Sequence, residues 1–138
     1  MNFPQLLQFN DWALLLLRLM IFLVFITSGW KHVTDPQQRS KEIEMSVGFT
    51  IFLGIAECAG ALGVLFGVLT QLAAIGLILL MFGSIAKKTF AWHTGFWGKD
   101  GTGGWSYDLM LVTMNLVVVT TGGGSLTLAN LLHLKMLQ

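Results

Sequence analysis

Two long stretches of this chain carry no charged side chain. From Cys58 to Ala86 there are 29 consecutive residues without Asp, Glu, Lys or Arg, and from Leu109 to Leu134 there are 26 more. A helix that crosses a bilayer needs roughly 20 predominantly apolar residues. The chain has 138 residues, of which 54% are apolar and 11% charged, and its net charge is +1. This balance excludes a nucleic-acid binder with a basic face and a disordered polar chain, and it disfavours a soluble domain.

The apolar stretches predict an all-α fold. We expect an integral membrane, four-helix up-and-down bundle with short interfacial helices, in which residues 1–138 form a single domain. The predicted spans are Trp12 to Gly29, Val47 to Val68, Gln71 to Ala86 and Tyr107 to Thr121. The link around Leu69 is so short that the second and third spans must form an antiparallel hairpin. A β-barrel is excluded because the apolar runs are continuous and do not alternate.

The positive residues predict how the bundle is oriented. Six of them fall in the two longer loops, between the first and second spans and between the third and fourth: Lys31, Arg39, Lys41, Lys87, Lys88 and Lys99. The opposite side has only Lys135. Cytoplasmic loops are enriched in Lys and Arg, so we expect the long loops in the cytoplasm and both termini outside a bacterial inner membrane. Most tryptophans fall on the loop-bearing side, as interfacial anchors would: Trp30, Trp92, Trp97 and Trp105.

Segments between and after the spans are predicted to lie at the membrane surface. Asp35 and Pro36 are typical of a helix start, so residues 37–44 predict a short surface helix before the second span. The glycine-rich segment 92–105 lacks the preceding strand that a phosphate-binding loop needs, which favours a surface turn. Leucines between Leu126 and Leu134 predict an amphipathic stretch.

Two of the spans contain a charge. Glu57 lies near the middle of the second span, where an isolated carboxylate costs on the order of 3 kcal/mol. Small residues on the same helix face (Gly54, Gly60 and Ala61) would let another helix approach closely. Arg18 is the only charge in the first span, and the helical rise places it within roughly 7 Å of the level of Glu57. We therefore predict an intramembrane ion pair between Arg18 and Glu57. It either only fixes the helix register or belongs to a site for a proton, a quinone or a substrate.

A second group of polar and aromatic residues falls on the loop-bearing side. Asp108 opens the fourth span, where Ser106 as N-cap and the helix dipole would be enough to explain it. The alternative is a site that binds an anionic or aromatic head group, such as a quinone ring, between a cation and indoles. The candidate ligand-binding residues are Trp30, Lys31, His32, Trp92, His93 and Asp108. Their spacing matches no metal motif, and the single cysteine, Cys58, excludes an internal disulfide. No residue is assigned a catalytic role.

Together these features resemble the DoxX family of small four-helix membrane proteins. The resemblance rests on Leu17-Arg18-Leu19 and Gly29-Trp30-Lys31 in the first span, on Gly54, Glu57, Gly60, Gly63 and Gly67 in the second, and on residues 70–74, Met81 and 122–126. The end of the first span is also similar to the DoxD subunit of archaeal thiosulfate:quinone oxidoreductase. Arg18, Lys31 and Glu57 fall on the family's characteristic charged positions, and Thr127 stands where its closing motif usually has aspartate.

The resemblance implies a link to sulfur or redox metabolism, to oxidative-stress complexes or to chaperone-like roles at membranes. We expect a non-catalytic accessory subunit of a redox, sulfur or thiol-handling complex. A quinone-interacting oxidoreductase subunit, with quinone as cofactor, is the alternative, and a small-molecule carrier is a third. The expected partners are membrane lipid and a protein of a redox complex. We expect no nucleic-acid partner. Gly76 and Gly83 of the third span would serve either the hairpin or a homo-oligomer.

Overall fold

The described part of the chain folds into four long helices and one short one. The structure, a computed structural model, describes residues 3–99 and 102–127. A 3₁₀ turn at Pro4–Phe9 leads into α1 (Asn10–Thr34), and α2 (Pro36–Ile43) follows. The bundle continues with α3 (Val47–Phe66), α4 (Thr70–Ala86) and α5 (Trp105–Thr121). A π-helical turn at Lys87–Ala91 extends α4, and two antiparallel two-residue strands, β1 (Gly98–Lys99) and β2 (Thr102–Gly103), pair before α5.

The predicted all-α membrane bundle is confirmed. Three helical segments, 4–34, 47–66 and 70–91, are long and apolar enough to cross a membrane. Helix α5 has 17 residues and packs along α4; at 1.5 Å per residue it is about 26 Å long. Helix α1 runs beyond its predicted span and stops just before Pro36, because the residue that precedes a proline disfavours the helical conformation. That residues 1–138 form a single domain stays a prediction.

The predictions for the segments outside the spans are confirmed in part. The predicted surface helix is confirmed as α2, although Asp35 makes no capping hydrogen bond to it. The prediction that Ser106 caps the fourth span is wrong, because α5 already begins at Trp105 with Gly104 in the cap position. Nearly all of the predicted amphipathic stretch at 126–134 lies outside the described residues.

The bundle consists of two closely packed helix pairs. Helix α1 packs mainly on α3 and α4 mainly on α5, and the α3–α4 hairpin joins the pairs. The α1–α3 contact is tight because two glycines meet there. A Cβ atom added to Gly29 would lie 2.8 Å from the carbonyl oxygen of Gly54, and one added to Gly54 would lie 2.7 Å from the Cβ of His32. The predicted close approach of another helix at Gly54 is therefore confirmed.

The helices are apolar on their inner and their outer faces. The core between them includes Ile21, Phe25, Ala61, Leu77, Leu111 and Val118. Large apolar side chains also cover the outside of the bundle, among them Phe52, Ile55, Leu72, Phe82 and Leu116. A helix that is apolar all round is typical of a membrane span. These outer side chains are accordingly suited to contact lipid.

The glycines of the hairpin do not all have the same role. Gly67 ends α3 in the left-handed conformation at φ 72°. Gly60 faces α4, where an added Cβ would lie 2.8 Å from Leu77. Gly76 and Gly83, by contrast, have open space around an added Cβ within the described chain. The α4 glycines therefore do not serve the hairpin, and their part in a homo-oligomer stays a prediction.

Candidate functional site

The buried charged side chains inside the bundle form two separate groups, one near each end. The loop end carries α2 and residues 87–104, and the hairpin end carries the link after Gly67 and residues 122–127. Arg18 belongs to the group at the hairpin end, whereas Glu57 belongs to the group that faces the loop end.

Arg18 is bound by backbone carbonyl oxygens on two sides. The side chain is almost completely buried, with 1% of the residue exposed. Its Nε donates to Val64 at 2.7 Å and its Nη2 to Leu65 at 2.5 Å. Its Nη1 donates to Gly123 at 3.2 Å and to Leu126 at 2.7 Å. The last four carbonyls of a helix have no partner within it, so Arg18 caps the C-terminus of α3 and its charge meets the negative end of the helix dipole.

The segment after α5 folds back over the bundle to reach Arg18. Gly122, Gly123 and Gly124 have φ values of 73°, 84° and 85°, a left-handed run that residues with a Cβ rarely adopt. The Ser125 amide then donates to the Asp11 carboxylate at 3.0 Å, which ties this segment to the start of α1. Arg18 therefore links the end of α3 to the end of the described chain.

The predicted ion pair between Arg18 and Glu57 is wrong. Val64, which binds the Arg18 guanidinium, lies seven residues beyond Glu57 on α3, roughly 10 Å along the axis at 1.5 Å per residue. Among the described residues, no ion pair joins Arg18 to a carboxylate. The helical rise placed the two residues at similar levels, but the unpaired carbonyls at the end of α3 and in the returning segment draw the guanidinium towards the hairpin end.

Glu57 pairs instead with His32 of α1. The distance from His32 Nδ1 to Glu57 Oε2 is 3.6 Å, and the side chains are only 6% and 9% exposed. His32 Nδ1 also lies 2.7 Å from the Ser28 carbonyl oxygen. Because a carbonyl oxygen only accepts, Nδ1 carries the hydrogen and donates it to Ser28. The close contact of α1 with α3 thus places an imidazole beside a carboxylate within the bundle.

An ion pair joins α4 to α5. Asp108 Oδ2 accepts a hydrogen bond from the Ser84 hydroxyl at 3.0 Å and forms an ion pair with Lys88 Nζ, also at 3.0 Å. Lys88 lies in the π-helical turn, and such turns occur frequently at functional sites. Asp108 is in the first turn of α5, as predicted, but the helix dipole alone does not account for it, because it also neutralises a largely buried ammonium group.

Both pairs line one cavity of about 710 Å³ at the loop end. This volume lies within the range of small-molecule sites, roughly 300–1,000 Å³. Its apolar walls include Val24, Phe25, Leu53, Leu80, Met81 and Leu111. Its inner polar groups are Ser28, His32, Glu57, Ser84, Lys88 and Asp108. The cavity therefore combines apolar walls with a small number of buried polar groups, as ligand pockets do.

The rim of the cavity reaches both the outer apolar surface and the polar surface of the loop end. Phe49 and Leu79 line it while 44% and 65% exposed on the outside of the bundle. Arg39 and Glu42 of α2 line it on the polar side. Arg39 Nη1 donates to Glu42 Oε2 at 2.6 Å, and this hydrogen bond lowers the pKa of the Glu42 carboxyl.

The structure brings together half of the predicted ligand-binding residues. Those that line the cavity are His32, Trp92 and Asp108. Those that lie on the exposed surface, away from the cavity lining, are Trp30, Lys31 and His93. The cation among these cavity residues is Lys88, whereas the prediction had named Lys31. That these residues bind a ligand stays a prediction.

Two lining serines were missed by the sequence analysis. Ser28 lies four residues before His32, and Ser84 lies four residues before Lys88. Residues four apart share one face of a helix. Each serine lies one helical turn before a titratable residue in an otherwise apolar helix. This spacing is the sequence signal by which both serines could have been predicted.

The sequence model of the DoxX family matches residues 13–94, more than half of the chain. The chain belongs to the DoxX family. No curated protein and no solved structure matches it. In this DoxX-family membrane protein the matched segment contains the Glu57–His32 pair and Lys88, whereas Asp108 lies beyond it.

The cavity has donors and acceptors for an organic ligand. Within residues 3–99 and 102–127, no three His, Cys, Asp or Glu side chains come together as metal ligands would. Lys88 and Trp92 offer N–H donors, and Glu57 offers an acceptor. That a quinone binds in this cavity stays a prediction.

Proposed function

We propose that this DoxX-family protein is an accessory membrane subunit that binds a quinone-type head group in the loop-end cavity. A redox or thiol-handling partner protein would exchange electrons with the bound head group. The observation that carries the proposal is the cavity itself, whose apolar walls converge on the Glu57–His32 and Lys88–Asp108 pairs. A quinone ring needs such walls, with polar groups only where its oxygens lie.

The rim of the cavity favours a ligand that dissolves in the membrane. Leu79 and Phe49 belong both to the cavity lining and to the lipid-facing surface, so a ligand can reach the cavity from within the bilayer. Arg39 and Lys87 line the same cavity on its polar side. This arrangement suits an amphipathic molecule with a polar head at the interface and an apolar tail in lipid.

The extent of the cavity favours binding over transport. Its lining residues come from the loop-end halves of the helices and from the segments that connect them. At the hairpin end, the space between α1, α3 and the returning segment is filled by Arg18 and its carbonyl partners. A carrier or channel would need a path past this point.

The positive residues support a bacterial inner-membrane location with the loop end in the cytoplasm. The cavity would then open on the cytoplasmic side of the bilayer. A cysteine introduced at Lys41, on the exposed face of α2, should react with a membrane-impermeant thiol reagent in inverted vesicles and stay unreacted in intact cells. The opposite labelling pattern would reverse the orientation.

Two glycines of α4 provide a matched test of the cavity. Both have open space around an added Cβ, but only Gly83 lines the cavity, and Gly76 lies two turns away on the same face. Gly83→Phe should fill the cavity, whereas Gly76→Phe adds the same ring outside it. The protein is reconstituted in lipid nanodiscs, and binding of a short-tailed benzoquinone is measured at equilibrium.

We expect the native protein and Gly76→Phe to bind the benzoquinone with the same Kd, and Gly83→Phe to bind at least tenfold more weakly. Native-level binding by Gly83→Phe would place the ligand elsewhere. No binding by the native protein to either the oxidised or the reduced form would refute the proposed function.

A further inference from the structure

The carboxyl group of Glu57 has more acceptor capacity than the protein fills. Oε2 has no hydrogen-bond donor among the described residues, because His32 Nδ1 at 3.6 Å is too far for a hydrogen bond. The side chain is 91% buried, since 9% of it is exposed, and it lines the loop-end cavity. An acceptor without a partner in the described chain thus lies on the wall of the cavity.

His32 does not fill this acceptor. Its Nδ1 hydrogen is donated to the Ser28 carbonyl oxygen, so the imidazole completes no hydrogen bond to Glu57. The Ser28 side chain interacts with the same carboxyl group, yet Oε2 keeps no hydrogen-bond partner within the described chain. In its ionised form the carboxylate only accepts, so the partner that Oε2 lacks in that form is a donor.

Asp108, another carboxylate of the cavity, has its partners within the protein. Asp108 already forms an ion pair with Lys88 and accepts a hydrogen bond from Ser84. At the rim, Glu42 accepts from Arg39 and from Gln38. Of the three carboxylates that line the cavity, only Glu57 has an oxygen that is buried and unpaired within the described chain.

We propose that Glu57 makes the loop-end cavity selective for the reduced, hydroxyl-bearing form of the head group, the quinol, over the oxidised quinone. A quinol O–H donates a hydrogen bond to the free carboxylate oxygen. A quinone offers only carbonyl oxygens there, and two acceptors that face each other leave both unpaired. The selectivity rests on the proposed function, because it concerns the ligand of that same cavity.

The test compares the two redox forms of one ligand. A short-tailed benzoquinone and its quinol, kept reduced under anaerobic conditions, are titrated into the protein in lipid nanodiscs. We expect the quinol to bind at least tenfold more tightly. In Glu57→Gln, which keeps the shape of the side chain, weaker quinol binding should bring the two Kd values within threefold. Glu44→Gln makes the same change on an exposed carboxylate that does not line the cavity and should keep the native preference.

A ligand-side measurement needs no variant. The dimethyl ether of the quinol keeps the ring and both oxygens but has no hydroxyl, so it should bind the native protein as weakly as the quinone. Equal binding of quinol and quinone, binding of the ether as tight as that of the quinol, or a preference that survives Glu57→Gln would each overturn the selectivity. If both forms bind equally and Gly83→Phe still abolishes binding, the proposed function stands and only the selectivity falls.

Discussion

Arg18 should be a principal determinant of stability at the hairpin end. Replacing it with methionine keeps an unbranched side chain but removes the donors for four carbonyl oxygens, those of Val64, Leu65, Gly123 and Leu126. Each carbonyl left without its bond costs about 1 kcal/mol, which gives about 4 kcal/mol in all.

Unfolding in mixed micelles of increasing SDS content, followed by tryptophan fluorescence, measures this loss. Lys31→Met is the matched control, because it makes the same kind of change on the exposed surface of the same helix. It should alter the free energy of unfolding by less than about 0.5 kcal/mol. Arg18→Lys should lie between, because an ammonium group keeps the charge but cannot reach carbonyls on two sides at once.

A double-mutant cycle distinguishes this account from a direct ion pair. Arg18 and Glu57 bind different partners at different ends of the bundle, so the effects of Arg18→Met and Glu57→Gln should add to within about 0.5 kcal/mol. Arg18→Met as stable as Lys31→Met would refute the capping argument. A coupling well above 1 kcal/mol between the two positions would restore the ion pair that the structure does not form.

The other predictions concern the α1–α3 contact and the Lys88–Asp108 pair. Gly29→Ala should lower the free energy of unfolding by about 2 kcal/mol because its Cβ would meet the Gly54 carbonyl, whereas Gly48→Ala, which has open space, should be neutral or stabilising; equal effects in SDS unfolding would contradict the close contact. Asp108→Asn should cost about 3 kcal/mol by leaving the Lys88 ammonium unpaired, and adding Lys88→Met should recover more than about 1 kcal/mol. A double variant as unstable as Asp108→Asn would show that the pair is not the cause.

The course of the chain through the membrane could be predicted from local sequence. Charge-free runs marked the apolar helices, and Asp35 and Pro36 marked the start of α2. Gly54 correctly indicated where another helix approaches α3. These predictions succeed because hydrocarbon demands internal backbone hydrogen bonds and apolar side chains segment by segment, without reference to distant residues.

The partners of the buried charges could not be predicted from local sequence. The sequence required Arg18 and Glu57 each to be compensated, and the simplest solution was to pair them. Arg18 instead binds backbone carbonyls of α3 and of the segment after α5. Every residue has such a carbonyl, so the residue types in the sequence do not reveal which ones accept. Likewise Lys88 rather than Lys31 supplies the cation of the cavity.

The sequence by itself therefore determined that this is a membrane-embedded helical protein whose few buried charges must be satisfied inside it. Which groups satisfy them was decided only by the tertiary structure, because helix rotation and the returning Gly122–Gly124 segment set those distances. The cavity at the loop end likewise exists only because two helix pairs pack closely within themselves and leave space between them.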